Sequence, residues 1–514
     1  LDPNIAPHVY LRSNGLLYWC PVDQPLPVVT TFDSINPATG TVVGTHPVTT
    51  AAEVSDTVAR ARVAAAWWGA QGWTGRRSWL RAWRKRIARG ADELAEVIRS
   101  ETGKPHGDGV LEIALSVDHL AWAAKHAEAV LGLRQTPSGL LGLNLRALLE
   151  YQPLGVVGVI GPWNYPVFTP MGSLGYALAA GNAVVFKPSE YTPGVGRWLE
   201  QAWRAAVPDG ANVLQVVTGR GDTGDALCRS GVDKIAFTGS TATAKQVMTA
   251  CAQNLVPVLI ECGGKDAMIV DRDADVAAAA DAALWGSMSN AGQTCVGIER
   301  VYVHEAVYQP FVAELRARAD RLRFGPDDRA SYGPVTMPSQ IDVIERHIAD
   351  ARRLGGRTLL GGASVGGYVE PTILVDVPEA SAAVQDETFG PTVVVTAVAT
   401  MEDAVRLTNA SRYGLGGAVF TGDARAGVQL ARRMRSGMTS VNSVIGFATV
   451  PSLPFGGVGD SGFGRIHGAD GLKEFTRAKA ITRQRFALPV PVLSFSRPRR
   501  LTDWLAKGLR VWHR

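Results

Sequence analysis

Residues 156–190 read VVGVIGPWNYPVFTPMGSLGYALAAGNAVVFKPSE, and this stretch decides the fold class. Two short apolar runs, VVGVI (156–160) and AVVFK (183–187), bracket a helix-like segment at 167–180. The runs VLQVV (213–217), KIAF (234–237) and VPVLI (256–260) continue the series. Strands of this length alternating with helices of roughly 10–15 residues form βαβ units and a parallel sheet. Such sheets bind ligands beyond the carboxyl ends of their strands. Six chemistry-bearing residues fall at those ends: Asn164, Lys187, Glu190, Gly239, Ser240 and Glu261.

Upstream, residues 1–30 have few periodic apolar positions and read as an irregular arm. FDSINPATGTVVGTHPV (32–48) predicts two short strands around the turn 36–40. Residues 51–131 are rich in Ala, Arg, Glu and Leu at helical spacing. Trp67, Trp68, Trp73, Trp79 and Trp83 fall within them and read as helix-packing residues rather than a ligand platform. Downstream, a second αβ series runs from about 264 to 460, with Cys295 near its start. Two lobes facing each other across a cleft would bring Cys295 to the strand ends of the first.

Composition narrows the function classes. The chain has 514 residues, enough for two or three lobes, with 46% hydrophobic and 19% charged residues. No apolar run reaches the roughly 18 residues of a membrane span, and no secretory signal is expected at the N-terminus. Five scattered cysteines without a CxxC pair argue against a disulfide framework or zinc site. Nine histidines show no ligand spacing, so no metal is expected and a reducing cytoplasm is. The net charge of +5 is concentrated in the tail: residues 483–514 hold eight Arg or Lys against Asp503 alone, leaving the rest at −2. A basic body that would bind nucleic acid is therefore absent.

NAGQTCVG (290–297) places Cys295 among small and amide residues that packing alone would not select. A free cysteine is by default a small buried hydrophobe. A nucleophile needs a thiolate, some exposure and donors nearby. Two GxGxxG matches, at Gly219–Gly224 and Gly457–Gly462, lack the context of a dinucleotide fingerprint. The first follows the third strand of its series and the second follows no strand. FKPSE offers more: Lys187 at a strand end can hold ribose hydroxyls, and Glu190 would accept from a 2′-OH and repel a 2′-phosphate. That favours NAD over NADP.

Taken together, GPWNYP (161–166), FKPSE (186–190), FTGST (237–241), ECGGK (261–265), NAGQTC (290–295), ETFGP (387–391) and PFGGVGDSGFGR (454–465) resemble the aldehyde dehydrogenase superfamily, in its order and spacing over roughly residues 30–480. The resemblance implies an atypical Rossmann cofactor domain (1–140 and 154–263) and an α/β catalytic domain (264–463). It further implies a small β oligomerisation domain (141–153 and 478–492) that makes the protein a homo-oligomer. Residues 493–514 remain as a basic amphipathic tail.

Residue by residue, the resemblance makes Cys295 the nucleophile, Glu261 the general base and Asn164 an oxyanion donor. It assigns Lys187 and Glu190 to the adenosine ribose, and Gly239 and Ser240 to the pyrophosphate at a helix start near Thr241. Glu387 goes to the nicotinamide ribose, Phe389 and Trp163 to the same cofactor site, and Phe455 to the substrate end. The implied reaction is NAD-dependent oxidation of an aldehyde to its acid through a thiohemiacetal and a thioester.

ECGGK departs from the family's common ELGGK, and a buried, inert Cys262 is expected. GVGDSG and the His467–Gly468 pair look more like the class containing fatty aldehyde dehydrogenases, which points to a hydrophobic or aliphatic aldehyde. Two alternatives are a CoA-acylating relative, against which Glu261 argues, and a catalytically idle structural or binding member. An unrelated thiol hydrolase is disfavoured, since no matched motif supplies a histidine partner. In the tail, Leu501, Trp504, Leu505, Leu509 and Trp512 recur at helical spacing among Arg and Lys. Such a helix suits peripheral contact with an anionic membrane, or packing on a subunit or over the substrate entrance.

Overall fold

A computed structural model of the chain describes residues 12–13, 16–17, 30–139, 141–489 and 493–512. Most of the expected arm at 1–30 lies outside the described residues, as do 490–492. The turn 36–40 joins Thr31–Ile35 to Val42–Pro47 in an antiparallel pair, as its Asn-Pro and Gly residues predict.

Residues 51–131 form four helices. Thr50 starts the first through a capping box with Glu53. Trp68 and Trp83 are buried and meet Trp203 edge-on, with ring centroids 5.6 and 5.3 Å apart. Offset edge-to-face packing of this kind adds to area burial. Trp67, Trp73 and Trp79 pack against the same core, so all five serve the helix layer.

The first lobe is built on a six-stranded sheet in the order Gly462–Phe463, Val258–Cys262, Lys234–Gly239, Val156–Ile160, Ala183–Lys187, Leu214–Val216. Its neighbours are parallel except for Gly462–Phe463, which returns from far along the chain and runs antiparallel to Val258–Cys262. The strand order reverses direction between Val156–Ile160 and Lys234–Gly239, the switch point at which open α/β sheets bind ligands. The strand expected at 256–260 is displaced to Val258–Cys262. Pro257 has no N–H to give a ladder, and Val256 donates to Cys251 O at the preceding helix end. Glu261 is thereby carried inside the strand, opposite Thr238.

The second lobe holds a seven-stranded sheet whose central parallel strands are Thr392–Val398, Ile298–His304, Asp266–Val270 and Gly417–Phe420. A separate three-stranded antiparallel sheet pairs Arg134–Thr136, Leu145–Pro153 and Thr476–Gln484. It extends beyond the expected segments 141–153 and 478–492, taking three residues from the stretch assigned to the cofactor domain. Among the described residues, no helix is long and apolar enough to cross a membrane, and no cluster of His, Cys, Asp or Glu could hold a metal ion.

Candidate active site

A cavity of about 680 Å³ opens at the carboxyl ends of the first sheet and is closed by the second lobe. This volume is in the range of small-molecule and cofactor sites. Ten of the eleven residues given site roles in the sequence line it: Trp163, Asn164, Lys187, Glu190, Gly239, Ser240, Glu261, Cys295, Glu387 and Phe389. Phe455 does not line this cavity. It is buried, with its ring against Phe447 and His467.

Cys295 is presented by a strained turn. Asn290 (φ 53°), Ala291 (φ 56°) and Gly292 (φ 70°) are consecutive left-handed residues. For Asn and Ala this conformation is costly, and it persists only where the surroundings enforce it. A Cβ on Gly292 would lie 1.9 Å from Gly390 O, which explains the glycine of NAGQTC. Gln293 fastens the turn, donating to Asn290 O (2.9 Å) and Pro334 O (3.3 Å) and accepting from Thr336 N (2.8 Å). The Asn164 side-chain amide donates to Gln293 O at 3.0 Å, so the expected oxyanion donor is tied to the segment that carries Cys295.

Behind Asn164 lies a buried ion pair that the sequence did not reveal. Lys104 Nζ is 3.0 Å from Glu112 Oε2 and donates to Asn164 O at 2.7 Å. Glu112 Oε1 accepts from Val167 N (2.7 Å) and Phe168 N (3.1 Å) at the start of the helix Phe168–Ala180. A carboxylate there satisfies donors that the helix cannot and complements its dipole. The pair had no local signal, because the groups it anchors, Asn164 O and the helix start at Val167, lie 60 and 55 residues from Lys104 and Glu112 in sequence.

Glu261 is buried, and neither carboxylate oxygen has a hydrogen-bond partner. Cys295 and Thr238 are close enough to act on its charge but fall short of bonding geometry. Burial pushes the carboxyl up to about 7. Burial also pushes the Cys295 thiol well above its usual range, reinforced by the charge of Glu261, so the resting thiol is protonated. Cys262 next door is buried, and burial raises it to about 12, which leaves it inert.

The dinucleotide end has its own supports. Lys187 is buried at its strand end, 3.6 Å from Glu190 Oε2. Tyr191 and Arg220 line the same end of the cavity, and sequence reading missed both. Ser240 caps the helix Thr241–Ala252 by accepting from Thr243 N, and the helix start faces the cavity beside Gly239. Such a helix start suits a pyrophosphate.

Glu387 Oε1 accepts from Gly264 N at 3.2 Å, and a Cβ on Gly263 would strike that oxygen at 1.7 Å. The first glycine of ECGGK thus makes room for Glu387, and the second for Asp266 and the Cys295 carbonyl. Phe389 is left-handed (φ 51°), held by its N–H to Glu299 Oε1 at 2.9 Å, while Glu299 pairs with the buried Lys265. Its ring meets Trp163 edge-on at 5.6 Å. A cavity with a cation–carboxylate pair, a helix start and a second carboxylate fits a nicotinamide dinucleotide in polarity and extent.

Comparison with known proteins agrees with this geometry. The aldehyde dehydrogenase family model matches residues 27–481. A 4,4'-diapolycopene aldehyde oxidase from a Methylomonas species is 36% identical over 90% of this chain and 87% of its own length. The solved NAD-dependent aldehyde dehydrogenase of Sinorhizobium meliloti superposes with a TM-score of 0.86 at 33% identity, covering 90% of this chain and 93% of that one. A solved NADP dependent enzyme of E. coli matches with a TM-score of 0.85 at 31% identity, over 88% and 95% of the two chains.

Proposed function

The chain belongs to the aldehyde dehydrogenase family, and we propose that it oxidises its aldehyde through a thioester on Cys295 that Glu261 hydrolyses. The observation that carries this reading is the buried, unpartnered carboxylate of Glu261 beside the Cys295 thiol. Oxidation of aldehydes to acids with a nicotinamide cofactor is the activity of the family, and the residues present divide the work as follows.

Glu261 takes the thiol proton, and the Cys295 sulfur adds to the carbonyl carbon. The Asn164 amide and the Cys295 backbone N–H face the developing oxyanion, each donor worth roughly 3 kcal/mol in comparable sites. Lys187, Glu190, Ser240 and Glu387 would hold the dinucleotide, which when bound supplies the acceptor for the hydride leaving that carbon. A thioester then remains on Cys295. Glu261 releases the thiol proton to solvent, then takes a proton from water as the water oxygen attacks the thioester, and returns that proton to the departing sulfur, so that the acid leaves with the thiol restored. A CoA-acylating enzyme would need no such base, which weighs against that alternative.

NAD is the preferred cofactor in this reading, because Glu190 would repel a 2′-phosphate. Arg220, which like Glu190 acts on the charge of Tyr191, is the group that would temper that preference. The substrate is a hydrophobic aldehyde: the GVGDSG segment with the His467–Gly468 pair and the relative named for 4,4'-diapolycopene aldehyde both support this class. The protein works as a homo-oligomer. Support comes from the small sheet's surroundings, where Leu133, Leu141, Leu143 and Phe486 are exposed.

The test is reduced-cofactor formation by purified protein with straight-chain and aromatic aldehydes, NAD and NADP in parallel, with and without CoA. Turnover without CoA that grows with chain length, favours NAD and vanishes in Cys295→Ala is the expected result. Turnover only with CoA would overturn the role of Glu261.

A further inference from the structure

The feature that this chemistry leaves unused is the tail, where Arg499–Trp512 forms a helix. At 100° per residue, Leu501, Trp504, Leu505, Leu509 and Val511 fall within one arc of about 160°. Arg499, Arg500, Lys507 and Arg510 occupy the opposite side, with Asp503 their only acidic neighbour there. The apolar side is only partly covered by its own subunit: Leu501 and Leu505 are half-buried, whereas Trp504 is 72% exposed, Leu509 58% and Val511 78%. Leu493 and Phe495, just before the helix, are almost fully exposed as well.

Charge decides what covers this face. A protein partner would have to supply the opposite charge for this polar side, which carries four cations against one acid, whereas an anionic lipid surface attracts each of them. An exposed tryptophan on the apolar side with single-sign cations on the other is the composition of a helix lying in a bilayer interface. Fourteen residues span roughly 21 Å, too short for a hydrocarbon core of about 30 Å, so the helix would lie on the membrane and not cross it. We propose that Arg499–Trp512 is a peripheral membrane-binding helix that sinks its Trp504–Leu509 side into an anionic lipid surface. This stands apart from the substrate reading, though it would hold the enzyme where apolar aldehydes partition.

The test is flotation of the full chain with phosphatidylcholine vesicles, with or without phosphatidylglycerol, beside Leu509→Glu and Lys507→Glu. Both positions are exposed and lie outside the catalytic cleft, and unchanged turnover of a water-soluble aldehyde confirms that the variants fold. Binding is expected only with phosphatidylglycerol, falling as salt rises. Lys507→Glu should weaken it at least about fivefold, the equivalent of ~1 kcal/mol for a basic residue at such a surface. Leu509→Glu should weaken it at least tenfold. Absence of binding, equal binding to both vesicles, or undiminished binding of Leu509→Glu would overturn the proposal. So would a smaller sedimentation coefficient for Leu509→Glu without lipid, which would make the helix a subunit contact.

Discussion

Glu261 is a buried carboxylate without a hydrogen-bond partner, and its raised proton affinity follows from that burial. With its carboxyl near 7, turnover limited by hydrolysis should rise about tenfold per pH unit below 7 and level off above it. Glu261→Gln should cut hydrolytic turnover by roughly 10²–10⁴ and abolish the inflection, as a pH–kcat profile would show. Stability carries the same signature. An unfolded glutamate titrates near 4.3, so between there and about 7 the folded state binds more protons. This contribution is full below the unfolded value and is lost as pH rises through 7, by up to about 4 kcal/mol. Urea denaturation at pH 5 and pH 8 should show Glu261→Gln narrowing the difference. Glu261 and Cys295 were legible because each sits in a short run whose glycines and amides have one purpose. The protonation of their side chains was not, since it depends on what surrounds them in space.

The elements that hold the site are fixed by packing between distant segments. The strands at 156–160, 183–187 and 234–239 were readable from apolar runs, and the helix at 168–180 from its flanks. The Lys104–Glu112 pair was not, although it bonds both Asn164 O and the first turn of that helix. Lys104→Met would leave a charged carboxylate buried and unpaired, a loss of about 3–5 kcal/mol in unfolding free energy. Because Asn164 loses an anchor too, kcat/KM should fall together with the denaturation midpoint. The left-handed Asn290 and Ala291 were equally hidden, since neither residue type announces a positive φ.

In the whole molecule, the two sheets meet across one cleft, and a third, smaller sheet stands apart from both. The alternation of strands and helices made the two lobes readable. The reach of the small sheet to Arg134–Thr136 was not, because three edge residues carry no pattern of their own. Leu141 is 83% exposed and Leu143 59%, surfaces that a subunit partner would cover. Sedimentation velocity should show an oligomer that Leu143→Glu shifts towards monomer, and an unchanged distribution would remove these leucines from the interface.

The central claim, a thioester on Cys295 hydrolysed through Glu261, is tested most directly by rapid mixing of Glu261→Gln with aldehyde and NAD. The expected result is a burst of one reduced cofactor per site, slowed by loss of the acceptor for the thiol proton, and then much slower turnover, with the acyl mass found on the peptide carrying Cys295. A burst with no acyl group on Cys295, or steady turnover at the wild-type rate, would contradict it.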